Sequence, residues 1–408
     1  MYCLIWRIPY YLDVIFAEGS PDVAVGAADP HPPHPRVGRV CLVIGQLGLG
    51  GAEKQLALLA SGLRKRGVEA TAVVLREGGP REEILRDGGV PLINLRLRPA
   101  ASRWQQLALL PLAIDRLRRT MLQLRPDVVH AFLLHSYVLS VPAARLARVP
   151  VCVAGRRSLS TFRTGLHPAV VAFERLATRM TDLLIANADA VADDVVRTEG
   201  VARDRIRVVY NGLAGSSFEP ATPAQLTTSA PVIMCVANLR AYKGHRYLLE
   251  AAARLGERGL ACTLALIGTG PEEECLQHQA EALRLDARFL GARTDIAALL
   301  ARADVVVLPS LTEGMSNAVM EAMAAGKPVV ATDVGGTAEL LEGRGILVPP
   351  ADSAALAAGL ERLLRDPDHG RRLAGAARAW SRQFLHLDGM VDRHLAIYSE
   401  LLEARCAG

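Results

Sequence analysis

The sequence predicts an α/β protein with two doubly wound lobes, each a parallel sheet with helices on both faces. Three observations predict it. Strand-like apolar runs alternate with amphipathic helix-like runs, which is the pattern of parallel sheets. Glycine-rich turns follow several of the strand-like runs. The order of strand, loop and helix begins again after residue 230, and 408 residues are enough for two or three domains.

The composition excludes some classes of function. Aromatic residues make up only 4% of the chain, which is a poor supply for stacking on nucleic-acid bases, so we expect no nucleic-acid partner. The seven cysteines contain no C-x-x-C pair, so neither a disulfide framework nor a zinc knuckle is expected. This cysteine usage favours a reducing compartment, and we expect a cytoplasmic protein.

Residues 1–35 differ from the rest of the chain. The apolar run at residues 1–17 is interrupted by Arg7, Pro9 and Asp13, so it is too short and too broken to span a bilayer. The HPPHP run at residues 31–35 is typical of a stiff extended spacer. We expect a poorly ordered N-terminal extension or, alternatively, an interfacial anchor.

The charge is unevenly placed. From Arg36 to Arg163 there are 21 Lys/Arg and 8 Asp/Glu, a net charge of +13, which leaves −8 for the rest of a chain whose net charge is +5. A basic first lobe should attract anions, and an anionic membrane surface at the inner face is one possible partner. The alternative is an arginine-rich surface that is only solvated.

The first lobe is predicted to begin with a buried strand, a glycine-rich turn and an amphipathic helix that ends at Gly67. Its turn, GLGGAE, does not match the dinucleotide or phosphate-loop patterns, because Glu53 and Lys54 stand where those patterns need other residues. Gly50 and Gly51 permit close approach of the backbone to a ligand, or serve only a tight packed turn.

Further strand and helix patterns follow, including a long helix over about residues 102–124. His130 comes at the end of the strand-like run 127–131, where it is either a structural histidine or a functional one. Arg156 and Arg157 follow the next strand and either reach an acceptor phosphate or are surface charges. The Asn211-Gly212 turn ends the lobe.

The second lobe opens with a strand, a loop that contains Arg240 and Lys243, and a helix. Cations at the carboxyl end of a strand suit the charge that develops on a departing diphosphate. The alternative is a solvated helix start. Later features are the turn at Gly268 and a last helix over about residues 387–404 with one apolar face.

The most informative stretch is SLTEGMSNAVMEAMAAGKP, residues 310–328, which follows the strand-like run 304–309. Glu313 lies in the loop at the carboxyl end of that strand, where ligands bind in open α/β sheets. The backbone N–H groups of about residues 315–318 open a helix and offer an anion site. Glu321 lies eight positions later among apolar neighbours and needs a partner. Alternatively both glutamates are ordinary helix and surface charges.

Two glutamates at this spacing, followed by AGKPVVATDVGGTAELL, resemble the E-x7-E segment of the family 4 (group 1) retaining glycosyltransferases, and the resemblance covers about residues 37–402. The resemblance implies the GT-B fold, in which two Rossmann-like lobes face a central cleft and the C-terminal helix crosses back to the first lobe. It implies an acceptor-side domain at 36–212, completed by 385–408, and a donor-binding domain at 213–384.

The resemblance also implies the activity and the residues that carry it. A sugar would move from a nucleotide-diphosphate sugar to an acceptor hydroxyl with retention, in glycan, polysaccharide or glycolipid biosynthesis. The residues it implies for catalysis are His130, Glu313, Arg240 and Lys243. The residues it implies for donor binding are Gly50, Gly51, Arg240, Lys243, Gly268, Arg293, Glu313, Gly314, Met315, Ser316, Asn317 and Glu321.

Three departures from the family pattern are visible. Phe132 stands where a second histidine is common, so that either His130 or His135 is the active-site histidine. Arg240 lies two residues beyond the usual arginine, and we expect it to act as the substitute. Leu213 replaces the usual isoleucine of the hinge sequence.

No cofactor is expected beyond the donor substrate. The D-x-D of residues 366–368 lies between two late helices and is typical of a turn and a helix start, so we expect no metal site. The expected partners are the nucleotide-sugar donor and a glycan or lipid-linked acceptor. Two alternatives remain on the same scaffold, a catalytically silent binder of sugar nucleotides and a sugar-nucleotide epimerase.

Overall fold

Two parallel sheets organise the chain in a computed structural model that describes residues 37–97, 103–163 and 168–407. The extension at residues 1–35 lies outside these ranges. The first sheet has seven strands in the order β3-β2-β1-β4-β5-β6-β7. They are β1 Arg39–Gln46, β2 Glu69–Glu77, β3 Leu92–Asn94, β4 Val128–Phe132, β5 Val151–Arg156, β6 Leu183–Ala186 and β7 Ile206–Val208.

Helices cover both faces of this sheet, as predicted from the alternating pattern. They are α1 Gly51–Lys65, α2 Glu82–Asp87, α3 Arg103–Leu124, α4 Leu134–Leu146, α5 Pro168–Met180 and α6 Asp189–Glu199. The strands β4 and β5 are buried along their whole length. This explains their continuous apolar character, since parallel strands covered on both faces have no solvent-facing side.

The second sheet has six strands in the order β10-β9-β8-β11-β12-β13. The strands are β8 Val232–Val236, β9 Thr263–Ile267, β10 Asp286–Phe289, β11 Val305–Leu308, β12 Val329–Thr332 and β13 Ile346–Val348. Its helices are α7 His245–Glu257, α8 Glu273–Ala282, α9 Ile296–Arg302, α10 Asn317–Ala324, α11 Thr337–Leu341, α12 Ser353–Arg365 and α13 Pro367–Phe384. Both sheets are parallel throughout. The predicted fold class is therefore confirmed.

The last helix, α14 Leu387–Ala407, returns to the first lobe as predicted. Its apolar residues, Met390, Val391, Leu395, Tyr398 and Leu402 among them, share a core with β1, β2 and α1. The side chain of Val391 occupies the space where a Cβ on Gly62 of α1 would lie. The chain crosses between the lobes twice at one place. There the N–H of Leu213 donates to the carbonyl of Leu385, and the N–H of Leu387 donates to the carbonyl of Leu213. The domain boundary at residue 212 stays a prediction.

The strand orders fix where ligands can bind. In each sheet the order reverses beside one central strand, between β1 and β4 in the first sheet and between β8 and β11 in the second. The crevice outside the carboxyl ends of such strands is the usual ligand site of doubly wound sheets. The glycine turn, the Arg240–Lys243 loop and the Glu313 loop follow β1, β8 and β11. His130 lies in the middle of β4 and not at its end, so the expected position of this histidine beyond the strand is wrong.

Within the described ranges, no helix combines the length and the apolar character needed to cross a membrane.

Candidate functional site

The loops that follow β8 and β11 are joined by their backbones. The N–H of Leu311 donates to the carbonyl of Tyr242 at 2.7 Å. Gly244 has a φ of +70°, and a Cβ there would collide with the carbonyl of Pro309. A glycine is required here on both grounds. This close packing brings the two charged residues of the loops together.

Lys243 and Glu313 form an ion pair at this junction. The Nζ of Lys243 lies 2.5 Å from Oε1 of Glu313, and the hydroxyl of Ser310 donates to the same oxygen at 2.7 Å. Both charged side chains are largely buried, with exposed fractions of 16% and 9%. The structure thus brings together two residues that the sequence assigned to the site, and it adds Ser310, which sequence reasoning missed.

The helix α10 begins directly after this loop. Its N-cap is Ser316, whose hydroxyl accepts a hydrogen bond from the N–H of Val319. Such caps satisfy one of the free N–H groups at a helix start. The preceding residues Gly314 and Met315 are buried. The amino end of α10 therefore lies beside Glu313, as the sequence predicted, and its first residue is Asn317.

Asn317 connects the second lobe to the glycine turn of the first. Its Nδ2 donates to the carbonyl of Gly51 at 3.2 Å, and its Oδ1 accepts from Nδ2 of Asn211 at 2.9 Å and from Nε2 of Gln55 at 3.3 Å. Gln55 also makes two hydrogen bonds with the backbone of Gly212, each of 2.9 Å. The amino end of α10 and the GGAE turn thus face each other across the lobes.

A second ion pair joins the same two elements. The Nζ of Lys54, in the first turn of α1, lies 2.5 Å from Oε1 of Glu321 in α10. The partner that the isolated Glu321 carboxylate required is therefore a cation of the other lobe. Sequence reasoning missed Lys54, because nothing in the order of residues pairs two positions 267 apart.

The glycine turn itself is tightly packed. A Cβ on Gly50 would collide with the carboxylate of Glu53, and a Cβ on Gly51 would lie 3.0 Å from Nδ2 of Asn317. Glu53 is buried, and this burial raises the pKa of its carboxyl group. A larger residue at either position would have to displace one of these side chains, so packing and the approach of the second lobe both favour small residues at this turn.

The other predicted donor-site residues lie around the second-lobe edge. Gly268 packs under the loop after β8, since a Cβ there would collide with the carbonyl of Ala237. Arg240 is exposed and precedes the short helical turn that contains Lys243. Arg293 is exposed and paired with Asp295 at 2.6 Å, so it is bound to its own loop rather than to the Glu313 cluster.

The two candidate histidines lie in different surroundings. His130 is fully buried, and its Nδ1 lies 2.6 Å from the hydroxyl of Tyr398 in α14. Burial, followed by the nearby His394 and Arg157, holds the pKa of His130 well below its ordinary value, so the ring is neutral at physiological pH. His135 is exposed in the first turn of α4. Of the two, only His135 presents its ring to solvent.

Arg156 and Arg157 are buried, so the view of them as surface charges is wrong. The Nη2 of Arg156 lies 2.9 Å from Oε2 of Glu199, and its guanidinium stacks over the ring of Tyr137. Arg157 donates to Oδ1 of Asn211 at 2.7 Å. It therefore extends the network that reaches Asn317. Desolvation lowers the pKa of Arg157 to about 10.

A third connection between the lobes involves Glu339 of α11. Its two carboxylate oxygens accept hydrogen bonds from the backbone N–H groups of Asp189 and Ala190, at 3.0 and 2.8 Å. These N–H groups belong to the first residues of α6. A carboxylate of the second lobe therefore accepts hydrogen bonds from the otherwise free N–H groups at the start of a first-lobe helix. Tyr210 has its pKa raised by burial and by the same glutamate.

The site combines a paired carboxylate, a lysine, an exposed arginine and the start of a helix at one edge. Such a set can bind an anionic ligand that also carries hydroxyl groups. Among the described residues no group of three or more His, Cys, Asp or Glu side chains is arranged to hold a metal ion. Asp366 caps α13 through a hydrogen bond from the N–H of His369, so the D-x-D of residues 366–368 is a turn and helix start as predicted.

Two family profiles match the chain, one for each lobe. The family described as Glycosyltransferase Family 4 matches residues 49–214. The family described as Glycosyl transferases group 1 matches residues 230–366. The first match begins in the glycine turn and the second contains the E-x7-E segment.

Curated relatives agree with these profiles. A glycogen synthase of Mycobacterium tuberculosis is 34% identical over 269 residues, which are 62% of this chain and 64% of the relative. The chain thus covers less than two thirds of that protein. A lipopolysaccharide core biosynthesis glycosyltransferase, LpsE of Rhizobium meliloti, is 29% identical over 80% of this chain and 88% of its own length.

Solved structures share the fold. HepE of Anabaena, crystallised in complex with UDP and glucose, has a TM-score of 0.76 and 23% identity, over 88% of this chain and 99% of its own. A sucrose-phosphate synthase of Thermosynechococcus elongatus has a TM-score of 0.75 and 20% identity, over 90% and 100%. With two family profiles covering both lobes and this architecture, the chain belongs to the group 1, family 4 glycosyltransferases.

Proposed function

We propose that this protein transfers a sugar from a nucleotide-diphosphate sugar to an acceptor hydroxyl, with retention of anomeric configuration, in glycan, polysaccharide or glycolipid biosynthesis. The observation that carries the proposal is the Lys243–Glu313 ion pair beside the start of α10, at the switch point of the second sheet. A cation, a hydrogen-bond acceptor for sugar hydroxyls and free helix N–H groups there match the parts of such a donor.

The donor class is supported from two sides. Lys243 and the exposed Arg240 supply positive charge where a diphosphate would leave, and such preorganised charge is the main device of this chemistry. HepE, which shares the fold, was crystallised with UDP and, in another crystal, with UDP-glucose. We propose that the donor diphosphate lies between the Lys243 loop and the GGAE turn, with Gly50 and Gly51 closing over it.

The remaining roles follow the family resemblance. Glu321 would bind the ribose hydroxyls. To do so, one oxygen of its carboxylate must either release the ammonium group of Lys54 or contact it and the ribose at the same time. Glu313 would bind the donor sugar, and Met315, Ser316 and Asn317 would present the helix start to the phosphates. The other positions proposed to line the donor site are Gly268, Arg293 and Gly314.

The burial of His130 bears on which histidine could contact the donor sugar. His130 is enclosed and bonded to Tyr398, so a direct contact between His130 and the sugar would need that hydrogen bond to rearrange. His135 lies at the same sheet edge with its ring exposed. We therefore propose His135 as the first histidine to test for contact with the donor sugar.

The test of the donor site is a thermal-shift panel of nucleoside diphosphates and diphosphate sugars on the wild type and on Glu321→Ala. Ligand at about 100 times its Kd stabilises a protein by about 2.7 kcal/mol. We expect one base to stabilise the wild type and to lose this effect in Glu321→Ala. The matched control is Glu281→Ala, an exposed glutamate of α8, which should keep the shift. If no nucleotide shifts the wild type, the proposed donor site is wrong.

Incubation of the protein with its donor alone tests the two alternative functions. A transferase without acceptor should leave the sugar unchanged or hydrolyse it slowly, whereas an epimerase would accumulate an isomerised sugar. Nucleotide binding without turnover on any acceptor tested would favour the catalytically silent binder. The acceptor class proposed is a glycan or a lipid-linked sugar.

A further inference from the structure

One face of the first lobe combines exposed leucines with exposed arginines. The structure shows nine large apolar side chains that are exposed, counted over the residues whose exposure it describes. Five of the nine lie on one layer of neighbouring helices, α3, α4 and α5. They are Leu112, Leu122, Leu146, Val170 and Leu176. We call this layer the α3–α5 face.

Two leucines of this face are strongly exposed, and one of them, Leu146, lines a groove. Leu112 is 62% exposed and Leu146 is 64% exposed. The groove runs between α3, the end of α4 and α5, and its apolar lining is Leu110, Pro111, Ile114, Leu146 and Phe173. Single exposed leucines are common on protein surfaces, but several of them on one helix layer that also carries an apolar groove indicate an interaction site.

The same face is basic. On α3, Leu112, Arg116 and Arg119 recur at helical spacing, and all three are exposed. On α5, Arg179 lies four residues after Arg175 and three after Leu176, and all three are exposed. Residues three, four and seven apart share one side of a helix, so leucine and arginine point out together.

Almost no negative charge offsets these arginines. The three helices contain two acidic residues, Asp115 and Glu174. Asp115 is paired with Arg118 and Arg119, and Glu174 is buried. The three helices contain seven arginines, so the face carries a net positive charge beside its exposed apolar side chains.

We propose that the α3–α5 face docks on an anionic lipid bilayer, with the leucines entering the headgroup boundary and the arginines binding lipid phosphates. The complementary charge selects this occupant, because interfacial protein surfaces bind membranes through buried apolar area together with the attraction of nearby basic side chains to anionic lipids. The proposal deepens the proposed function, since it places a lipid-linked acceptor next to the acceptor-side lobe.

Vesicle co-sedimentation of the full chain tests the proposal. We expect binding to vesicles that contain phosphatidylglycerol, weaker binding to pure phosphatidylcholine, and partial release at about 1 M salt, where the Debye length falls to about 3 Å. Release should be partial because the leucine contacts do not depend on salt. Absence of binding to the phosphatidylglycerol vesicles would overturn the proposal.

Two sets of substitutions separate the contributions of charge and apolar area. Replacing Arg116, Arg175 and Arg179 by Gln should weaken vesicle binding by about fivefold per arginine, from about 1 kcal/mol for each basic residue at such a surface. Replacing Leu112, Leu146 and Leu176 by Ser should weaken it by about tenfold or more in total. The matched controls are Arg254→Gln with Arg362→Gln, exposed arginines of the second lobe, and Leu283→Ser, an exposed leucine there.

The controls should bind as the wild type does, and equal losses in the controls would contradict the assignment to this face. If the wild type proved to be a dimer and the leucine variant became a monomer while keeping its vesicle binding, the face would belong to a second copy of the chain and the proposal would be wrong. Because the face lies outside the donor site, every variant should keep the nucleotide thermal shift. A loss of vesicle binding is therefore distinguishable from a failure of the proposed enzyme activity.

Discussion

Lys243 is bound by two features of its own lobe, the carboxylate of Glu313 and the loop that Gly244 closes. An ammonium group held in this way is preorganised, so it loses little freedom when a second negative charge develops beside it. Arg240 differs because it is exposed, and its long side chain must be recruited by the ligand. Both residues should therefore affect turnover, because each supplies positive charge beside the same developing negative charge. Their effects on the stability of the protein should differ.

We predict that Lys243→Ala lowers kcat by about 10²- to 10³-fold, the usual cost of one preorganised charge-stabilising contact. Arg240→Ala should also lower kcat strongly, with little change in Tm, because Arg240 is exposed. Lys243→Ala should lower Tm as well, since it leaves the carboxylate of Glu313 with Ser310 alone. Steady-state kinetics and thermal denaturation measure both effects, with Arg254→Ala as the control. Unchanged kcat in both variants would remove these residues from the catalytic site.

The sequence predicted Glu313, Lys243 and the start of α10 because each follows a recognisable strand and lies at the same edge of one sheet. It did not predict Lys54 or Gln55, because their partners belong to the other lobe and no local pattern records how two lobes meet. Burial of His130 was equally invisible, since it depends on Tyr398 arriving from the last helix. The sequence thus indicated which residues follow each strand, but it did not indicate which residues from distant parts of the chain pair with them.

At the scale of elements, α10 and the loop before it make several of the contacts between the lobes. A Cβ on Gly314 would collide with the backbone carbonyl of Arg157 at the end of β5. The E-x7-E segment therefore contains a glycine that the first lobe requires, apart from any ligand. Asn317 lies three residues later and completes the same contact through Gly51 and Asn211.

We predict that Gly314→Ala separates the lobes or strains their contact and lowers the free energy of unfolding by about 1–3 kcal/mol. The reason is that the added methyl group would meet the backbone of Arg157, which cannot move aside as a flexible side chain can. Thermal denaturation should show a lower Tm, and small-angle scattering should show a larger radius of gyration if the lobes separate. The matched control is Gly375→Ala in α13, where a Cβ meets no atom within 4 Å and alanine should stabilise the helix. Equal Tm values for the two variants would contradict the role assigned to Gly314.

At the scale of the whole molecule, the alternating pattern was sufficient to predict two parallel sheets, because strands buried on both faces leave continuous apolar runs. The strand order was not readable from the runs themselves. The strand order depends on which side of the preceding strand each crossover places the next one. In the first sheet, for example, β1 lies between β2 and β4. The net charge of +13 over residues 36–163 was also visible in the sequence, but the position of exposed arginines of α3–α5 beside exposed leucines required the structure.

Three buried histidines make the whole molecule sensitive to acid. Burial and neighbouring cations lower the pKa of His130 well below 6.5, that of His245 to about 4 and that of His394 to about 3. In the unfolded chain these rings titrate near 6.5. Their contribution to stability is therefore present above pH 6.5 and is lost as the pH falls toward the folded pKa values, since only the unfolded state takes up the protons.

We predict that the free energy of unfolding falls between pH 6 and pH 5 by about 1.4 kcal/mol per pH unit for each histidine whose folded pKa lies below 5, which is about 3 kcal/mol for His245 and His394 together. His130 adds to the fall in the same direction. Glu53 acts in the opposite direction, because burial raises its folded pKa, but one carboxyl group cannot offset three imidazoles. Urea denaturation at pH 7 and at pH 5 measures the difference. Equal midpoints at the two pH values would contradict the prediction, because the fall disappears only if all three rings take up protons inside the folded protein. The enclosed position of His130 beside Tyr398 would be the first to re-examine by histidine NMR titration.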